Sequence, residues 1–345
     1  MTNRERFRAL MNFQPVDRLP VVEWAPWWDK TIDRWRSEGL GDLSDRYAIC
    51  EHFGQDIFRQ GRFWLKGPKT PKPKRHLGGL IESMDDYERI RPTLYSMDRV
   101  NAHPWAQWAA EQQRGESVVW YNVDGFFWGP RVLMGVEAHL MGFYDQPELI
   151  HRINADLLDY QLKVLDAVCE VCVPDFICFA EDMSYNHGPM LSGDLFEAFL
   201  APYYRRIVPR IHERGAWVFV DTDGDVTIPT DWYLGVGFDG FLPLERMAGV
   251  DVAALRRRHP KLRMIGAFDK TVMHRGQAAI AAEFQRLLPV ARQGGFVISC
   301  DHQTPPGVSL ADYQLYMKLF GEYAARAAEP RPAEPAESPQ ADPNP

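Results

Sequence analysis

The fold is decided by AWVFVDTDGD (216–225), FDGFLPLE (238–245), RMIGAFDK (263–270) and GFVISCDH (295–302). Each is an apolar run of strand length that ends in charged residues. The segments that follow three of these runs, DVAALRRRHP, QAAIAAEFQRLLPVARQGG and SLADYQLYMKLFGEYAARAA, have apolar residues at helical spacing. Strands that are apolar throughout and alternate with helices predict a parallel sheet covered by helices.

The same alternation extends toward the N-terminus. Strand runs begin near residues 20, 117 and 176 as well as 216, 238, 263 and 295, and an eighth strand is expected within 50–100. Eight such units predict a single-domain (β/α)8 TIM barrel over residues 1–325. An open doubly wound sheet is the alternative, but no G-x-G-x-x-G follows any strand. The Pro-rich segment 326–345 is predicted to be a disordered tail.

Composition narrows the class of protein. The 345 residues include 39 Lys+Arg and 47 Asp+Glu, which gives a net charge of −8. This acidic balance argues against a nucleic-acid partner, and no apolar stretch is long enough for a membrane span. Five cysteines, an odd number, argue against a disulfide framework and favour a cytoplasmic protein. We expect the partner to be a small-molecule substrate.

Candidate site residues follow from the position of an active site in a parallel barrel, at the carboxyl ends of the strands. The candidate catalytic residues are Asp221, Asp223 and His302. The candidate substrate-binding residues are Trp24, Glu181, Asp182, Tyr185, Glu245, Asp269 and Lys270. Carboxylates dominate this set, so we expect a ligand that is cationic, carries a metal, or becomes cationic during the reaction.

The alternative for each acidic residue at a strand end is that it caps the next helix. That explanation is weakest for Asp221, Asp223 and Asp225, because three acids within five residues repel one another and raise one another's pKa. Such a cost is usual at proton-transfer or cation sites.

Ordered segments of the chain resemble the uroporphyrinogen decarboxylase superfamily, a group of (β/α)8 barrels that includes tetrapyrrole decarboxylases and corrinoid-linked methyltransferases. The segments are RERFRALMNFQPVDRLPVVEW, EDMSYNHGPMLSGDLFEAFLAPYYRRI, VFVDTDGDV, GFDGFLPLE, IGAFDK and CDHQTPPGVSLADYQLYMKLFGEY. Together they span essentially residues 3–323. The resemblance implies a divergent enzyme of this superfamily, in which dimers are common, so a homodimer is expected.

The methyltransferase branch places a zinc-binding H-x-C where this chain has Asp221-Thr222-Asp223. Its third ligand is a Cys in a C-x-x-x-P pattern, and here His302 stands in that register with Cys300 two positions earlier. The soft thiolate ligands for zinc are therefore missing. A divalent metal held by Asp221, Asp223, Cys300 or His302, with a corrinoid protein as partner, remains the alternative.

The decarboxylase branch has a D-G pair like Asp223-Gly224 and a His at the position of His302. The resemblance therefore favours a carboxy-lyase that works without an organic cofactor on a ring-bearing substrate. One of Asp221 or Asp223 would stabilise a cationic intermediate, and His302 would transfer a proton. However, the family's R-x-x-G-R-Y, F-S-D-like segment and tyrosine are replaced by VEWAPWWDKTIDRW, IFRQGRFW and Val136. These replacements argue against uroporphyrinogen itself, and a third alternative is a catalytically silent binding module.

Overall fold

The computed structural model describes residues 1–73 and 78–328. Its strands are β1 (Ile57–Phe63), β2 (Ser117–Asp124), β3 (Phe176–Ala180), β4 (Ser184–Tyr185), β5 (Gly188–Pro189), β6 (Trp217–Asp221), β7 (Gly240–Leu242), β8 (Arg263–Phe268) and β9 (Phe296–Cys300). Seven of them form one parallel sheet in the order β1-β2-β3-β6-β7-β8-β9. Strands β4 and β5 form a separate antiparallel hairpin. The predicted α/β class with a parallel, TIM-like sheet is confirmed.

The helices are α1 (Asn3–Met11), α2 (Asp29–Trp35), α3 (Arg46–His52), α4 (Met84–Ile90), α5 (Asp98–Ala102), α6 (Trp105–Gln113), α7 (Trp128–Met134), α8 (Val136–Asp145), α9 (Pro147–Cys169), α10 (Gly193–Phe199), α11 (Ala201–Glu213), α12 (Pro229–Gly235), α13 (Val252–Arg258), α14 (Gln277–Ala291) and α15 (Leu310–Arg326). They separate consecutive strands of the sheet, as parallel pairing requires. Helices α10 and α11 are separate, because α10 ends at Phe199 and Pro202 stands at the start of α11. No described helix is both long and apolar enough to cross a membrane.

The strand expected within 50–100 is β1, but the strand expected near residue 20 is not formed. Residues 19–23 are extended without a strand ladder. Pro20 has no N–H to donate, and the N–H of Leu19 bonds to the carbonyl of Ala324 in α15 instead of to the sheet. The apolar run alone could not show that its backbone donors go elsewhere.

This extended segment nevertheless links the two edges of the sheet. The carbonyl of Val21 accepts the N–H of Asp56, next to β1, at 2.8 Å. On the other side, the buried carboxyl of Glu23 accepts the N–H of Cys300 in β9 at 2.9 Å, and the N–H of Trp24 donates to Ser299. The segment therefore connects β9 to β1.

The core lies between the sheet and its helices. All eight residues of β2 are buried, which is typical of a strand covered on both faces. All five cysteines are free, as the odd count predicted. Helix α15 ends at Arg326, and residues 329–345, the greater part of the expected disordered tail, lie outside the described residues.

Candidate active site

Three carboxyl groups meet at the ends of β3 and β6. Asp221 is the last residue of β6, Asp223 follows it, and Asp182 follows β3. The N–H groups of Glu181 and Asp182 donate to the carbonyl of Asp221 at 2.8 and 3.5 Å, which brings the two strand ends together. Asp182 also has a left-handed backbone, with φ of 41°. A side chain in that region costs energy and is most often retained at functional sites.

Each of these carboxyl groups is harder to ionise than an ordinary aspartate. Burial, and next the charges of Asp182 and Glu245, raise the pKa of Asp223 to about 7. Burial, Asp182 and Asp223 hold the pKa of Asp221 well above its usual range. Burial likewise raises the pKa of Asp182, although the charge of Arg131 opposes it. Carboxyls this close titrate as a group, so near neutral pH the group holds both protons and negative charge.

A second group of polar residues lies at the ends of β7, β8 and β9. The Lys270 ammonium is 3.2 Å from the buried Asp301 carboxylate and 3.8 Å from Glu245. Against the opposing effect of burial, Asp301 raises the pKa of Lys270, so this amine is charged. Burial and the charge of Lys270 lower the pKa of His302, which is therefore a neutral imidazole near neutral pH. Since Lys270 and Glu245 also influence the pKa of Asp223, the two groups adjoin.

Glu181 is placed away from this cluster. Its fully buried carboxyl accepts the N–H groups of Phe126, Phe127 and Trp128 at 2.8–3.0 Å, and also the hydroxyl of Tyr204. These N–H groups belong to the loop that begins α7, where a carboxylate is favoured. Glu181 therefore holds the loop after β2 rather than facing a ligand.

Three further predicted residues lie at the rim without joining the carboxyl cluster. The Asp269 carboxylate accepts the N–H of Thr271 at 2.8 Å, which is the helix-capping role considered from the sequence. Tyr185 is 49% exposed, and its carbonyl accepts the N–H of Asp225. Trp24 donates its indole N–H to the carbonyl of Cys300. These contacts position the loops that carry Asp223 and His302.

The candidate metal ligands do not form a metal site. Burial, and next the charge of Glu23, hold the pKa of the Cys300 thiol well above its usual value. Cys300 is therefore a protonated thiol, and the form of cysteine that binds a metal is the thiolate. Among residues 1–73 and 78–328, no group of three or more His, Cys, Asp or Glu side chains is arranged to hold a metal ion. The residues present therefore do not fit a zinc or other divalent metal at Asp221, Asp223, Cys300 and His302.

A cavity of about 380 Å³ opens beside Asp182 and Asp221. Its other lining residues are Trp64, Lys66, Arg99, Asp124, Trp128, Val132 and Ala180. The buried Asp124 carboxyl accepts the N–H of Leu65 at 2.6 Å, which ties the end of β2 to the end of β1. Aromatic walls, two cations and two partly exposed carboxyls thus surround one space.

Comparison with known proteins identifies the family of this chain. The sequence profile of uroporphyrinogen decarboxylase (URO-D) matches residues 129–323, more than half of the chain. The chain belongs to the uroporphyrinogen decarboxylase family. No curated protein sequence matches it.

One of two similar solved structures supports the fold of this uroporphyrinogen decarboxylase family member, and the other is only weakly similar. A methyltransferase from Methanosarcina mazei has a TM-score of 0.62 at 16% identity, with 94% of this chain and 99% of that chain covered. A putative vitamin-B12 independent methionine synthase from Listeria monocytogenes has a TM-score of 0.43 at 12% identity, with 91% and 97% covered. Identities this low leave the activity to be argued from the site.

The family match contains Asp182, Asp221 and Asp223, but several cavity residues precede it. Sequence reasoning did not select Trp64, Lys66, Arg99 or Asp124 as site residues. Nor did it select Arg62, an exposed residue of β1 whose charge opposes the raised pKa of Asp221.

A signal for Arg62 was present in IFRQGRFW. Gln60 and Arg62 are two residues apart and so share a face of β1, and their side chains are hydrogen-bonded to each other. Gln60 also bonds to Asn122 of β2 at 2.6 Å. The two-residue period of the strand therefore indicates that Arg62 lies on the same face of β1 as Gln60.

Proposed function

We propose that this protein is a carboxy-lyase of the uroporphyrinogen decarboxylase family, built as an eight-unit barrel, which removes CO2 from a ring-bearing acid by proton transfer. The observation that carries the proposal is the Asp182–Asp221–Asp223 group. Its raised pKa values supply a protonated carboxyl and an ionised carboxyl side by side near neutral pH. The protonated carboxyl can donate a proton to a ring carbon. The ionised carboxyl can stabilise the cation that forms.

The reaction balances without an added oxidant or reductant. A protonated carboxyl, assigned to Asp223, gives its proton to the ring carbon that bears the substrate carboxylate, and the ring becomes cationic. Asp182, whose ionised form is favoured by the charge of Arg131, stabilises that cation. The carbon–carbon bond then breaks, its electron pair returns to the ring, CO2 leaves, and solvent reprotonates Asp223.

His302 fits a relay role in this scheme. Its lowered pKa makes it a neutral imidazole, which can accept a proton and pass it on. The charges of Lys270 and Glu245 act on the pKa values of both His302 and Asp223. We therefore assign the first proton donation to Asp223 and solvent exchange to the side of His302.

Methyl transfer with a corrinoid protein is the alternative function. The similar structure from Methanosarcina mazei is described as a methyltransferase. That route requires a metal that activates the methyl acceptor, and the residues at the strand ends do not fit one. The carboxyl group therefore favours the lyase.

The test is an untargeted comparison of small-molecule cell extracts incubated with the wild-type protein and with Asp223→Asn. We expect the wild type to deplete an acid and produce a compound lighter by one CO2, and Asp223→Asn to lose this conversion. Glu197→Gln, which changes an exposed ion pair with Arg205, serves as the matched control. Gain or loss of a methyl group, or equal CO2 release by Asp223→Asn, would refute the proposal.

A further inference from the structure

The cations around the cavity have no acidic partner. Among the described residues, no carboxylate lies within 4.0 Å of the charged nitrogens of Arg62, Lys66 or Arg99. Many other arginines of this acidic protein form ion pairs, for example Arg59 with Glu111 at 2.7 Å. Cations left without a partner beside a concave site are suited to bind an anionic ligand.

These cations are divided between two places. Lys66 and Arg99 line the cavity itself, and their charges reach the buried carboxyl of Asp124. Arg62 does not line the cavity but lies on β1, bonded to Gln60, and its charge acts on Asp221. The cavity thus contains one cationic position, formed by Lys66 and Arg99, and one acidic wall, formed by Asp182 and Asp221.

The rest of the lining selects an aromatic ligand of modest size. Trp64 and Trp128 contribute flat apolar surface, and the Arg131 guanidinium lies over the Trp128 ring at 4.9 Å, which holds that ring in place. A volume of about 380 Å³ is near the lower end of the range of roughly 300–1,000 Å³ for small-molecule sites. Such a volume suits one ring with short substituents better than a macrocycle of four pyrroles.

We propose that the substrate is a single-ring aromatic dicarboxylate, in which the retained carboxylate binds Lys66 and Arg99 and the carboxylate to be lost lies at the other end of the cavity. The ring then stands between the tryptophans with its reacting carbon at the Asp182–Asp221 end of the cavity, the end nearest the proton donor Asp223. The opposite charges on the two sides of the cavity fix this orientation. The inference rests on the proposed function for its reacting carboxylate, whereas the anion-binding position is independent of any chemistry.

The experiment is calorimetric titration with benzene-1,3-dicarboxylate, benzoate and benzamide. We expect the affinities to fall in that order. Lys66→Met and Arg99→Met should each weaken dicarboxylate binding about tenfold, the effect of losing about 1.4 kcal/mol. Lys163→Met is the matched control, because Lys163 lies at a separate surface cavity. This variant should bind the dicarboxylate as tightly as the wild type does.

The outcomes separate this inference from the proposed function. Benzamide binding as tightly as the dicarboxylate, undiminished binding by both variants, or no carboxylate binding at millimolar concentration would overturn the anion position. Carboxylate binding that depends on Lys66 and Arg99, together with extracts that show no CO2 loss, would leave this position standing and refute the lyase. CO2 loss that neither Lys66→Met nor Arg99→Met reduces would leave the lyase standing and refute the anion position.

Discussion

At the scale of single residues, similar carboxyl groups have different roles because their hydrogen-bond partners differ. Glu181 accepts three backbone N–H groups and a tyrosine hydroxyl, so its oxygens are fully used by the fold. Asp223 faces other acids, and its pKa is raised to about 7 by burial and by their charges. Burial also raises the pKa of Glu181 to about 7, but Glu181 is fully buried whereas Asp223 is partly exposed, so only Asp223 can pass its proton to a ligand.

The pH dependence of the reaction follows from that proton. If Asp223 must be protonated, kcat/KM should fall as pH rises through about 7. Asp182→Asn removes a negative neighbour and lowers the pKa of Asp223, so the fall should begin at lower pH. Lys270→Met removes a positive neighbour and raises that pKa, so the fall should begin at higher pH. Shifts of about one pH unit are expected.

The measurement is kcat/KM against pH for the wild type and both variants, on the substrate found in the extracts. Glu197→Gln should reproduce the wild-type profile. Shifts in the same direction for Asp182→Asn and Lys270→Met would contradict the assignment of the proton to Asp223.

At the scale of elements, the hairpin β4–β5 and the turn after β6 support each other. The N–H of Asp225 donates to the carbonyl of Tyr185 at 2.9 Å. Between Asp223 and Asp225, Gly224 has φ of 83°, and a Cβ there would come within 2.5 Å of the backbone nitrogen of Tyr185. The position of Asp223 therefore depends on a close approach that only glycine permits.

Two glycines give a matched test of this approach. Gly249 also has a positive φ, of 89°, but a Cβ added there meets nothing within 4 Å. Gly249→Ala should cost only the backbone preference, about 1 kcal/mol. Gly224→Ala should cost at least about 1 kcal/mol more, because the hairpin must move. The free energy of unfolding is measured in urea. Equal losses for Gly224→Ala and Gly249→Ala would show that the close approach of Gly224 to Tyr185 has no energetic effect.

The sequence predicted these elements well where one pattern decides the structure. The runs that end at Asp221 and Cys300 are strands, since an apolar segment between helices has few alternatives. The strand predicted near residue 20 is not formed, because the backbone N–H groups of this segment donate to a helix carbonyl and to side chains. The acid cluster could be predicted from strand ends, whereas Lys66 and Arg99 reach the cavity from loop and helix positions with no sequence period.

At the scale of the whole molecule, one buried side chain joins the beginning of the chain to its end. Glu23 accepts hydrogen bonds from Ser299 at 3.0 Å, from the N–H of Cys300 at 2.9 Å and from the hydroxyl of Tyr316 at 2.7 Å. It thereby fixes residues 19–24 between β9 and β1, next to the loop that carries His302.

Glu23→Ala should therefore destabilise the whole fold. Removing the carboxyl leaves up to three buried donors without a partner, which costs about 2–4 kcal/mol in the free energy of unfolding. Glu51→Ala removes an exposed side chain of α3 and should change that energy by less than about 0.5 kcal/mol. Urea titrations of both variants give the comparison, and a loss below about 1 kcal/mol for Glu23→Ala would show that residues 19–24 do not close the sheet.

The central claim is that the Asp182–Asp221–Asp223 group delivers a proton to a ring carbon as CO2 leaves. The most direct measurement is CO2 release in D2O, with mass spectrometry of the product for the wild type and for Asp223→Asn. We predict one solvent deuteron in the product for each CO2 released by the wild type, and loss of both in a folded Asp223→Asn. Product formation without CO2, or undiminished CO2 release by Asp223→Asn, would contradict the claim.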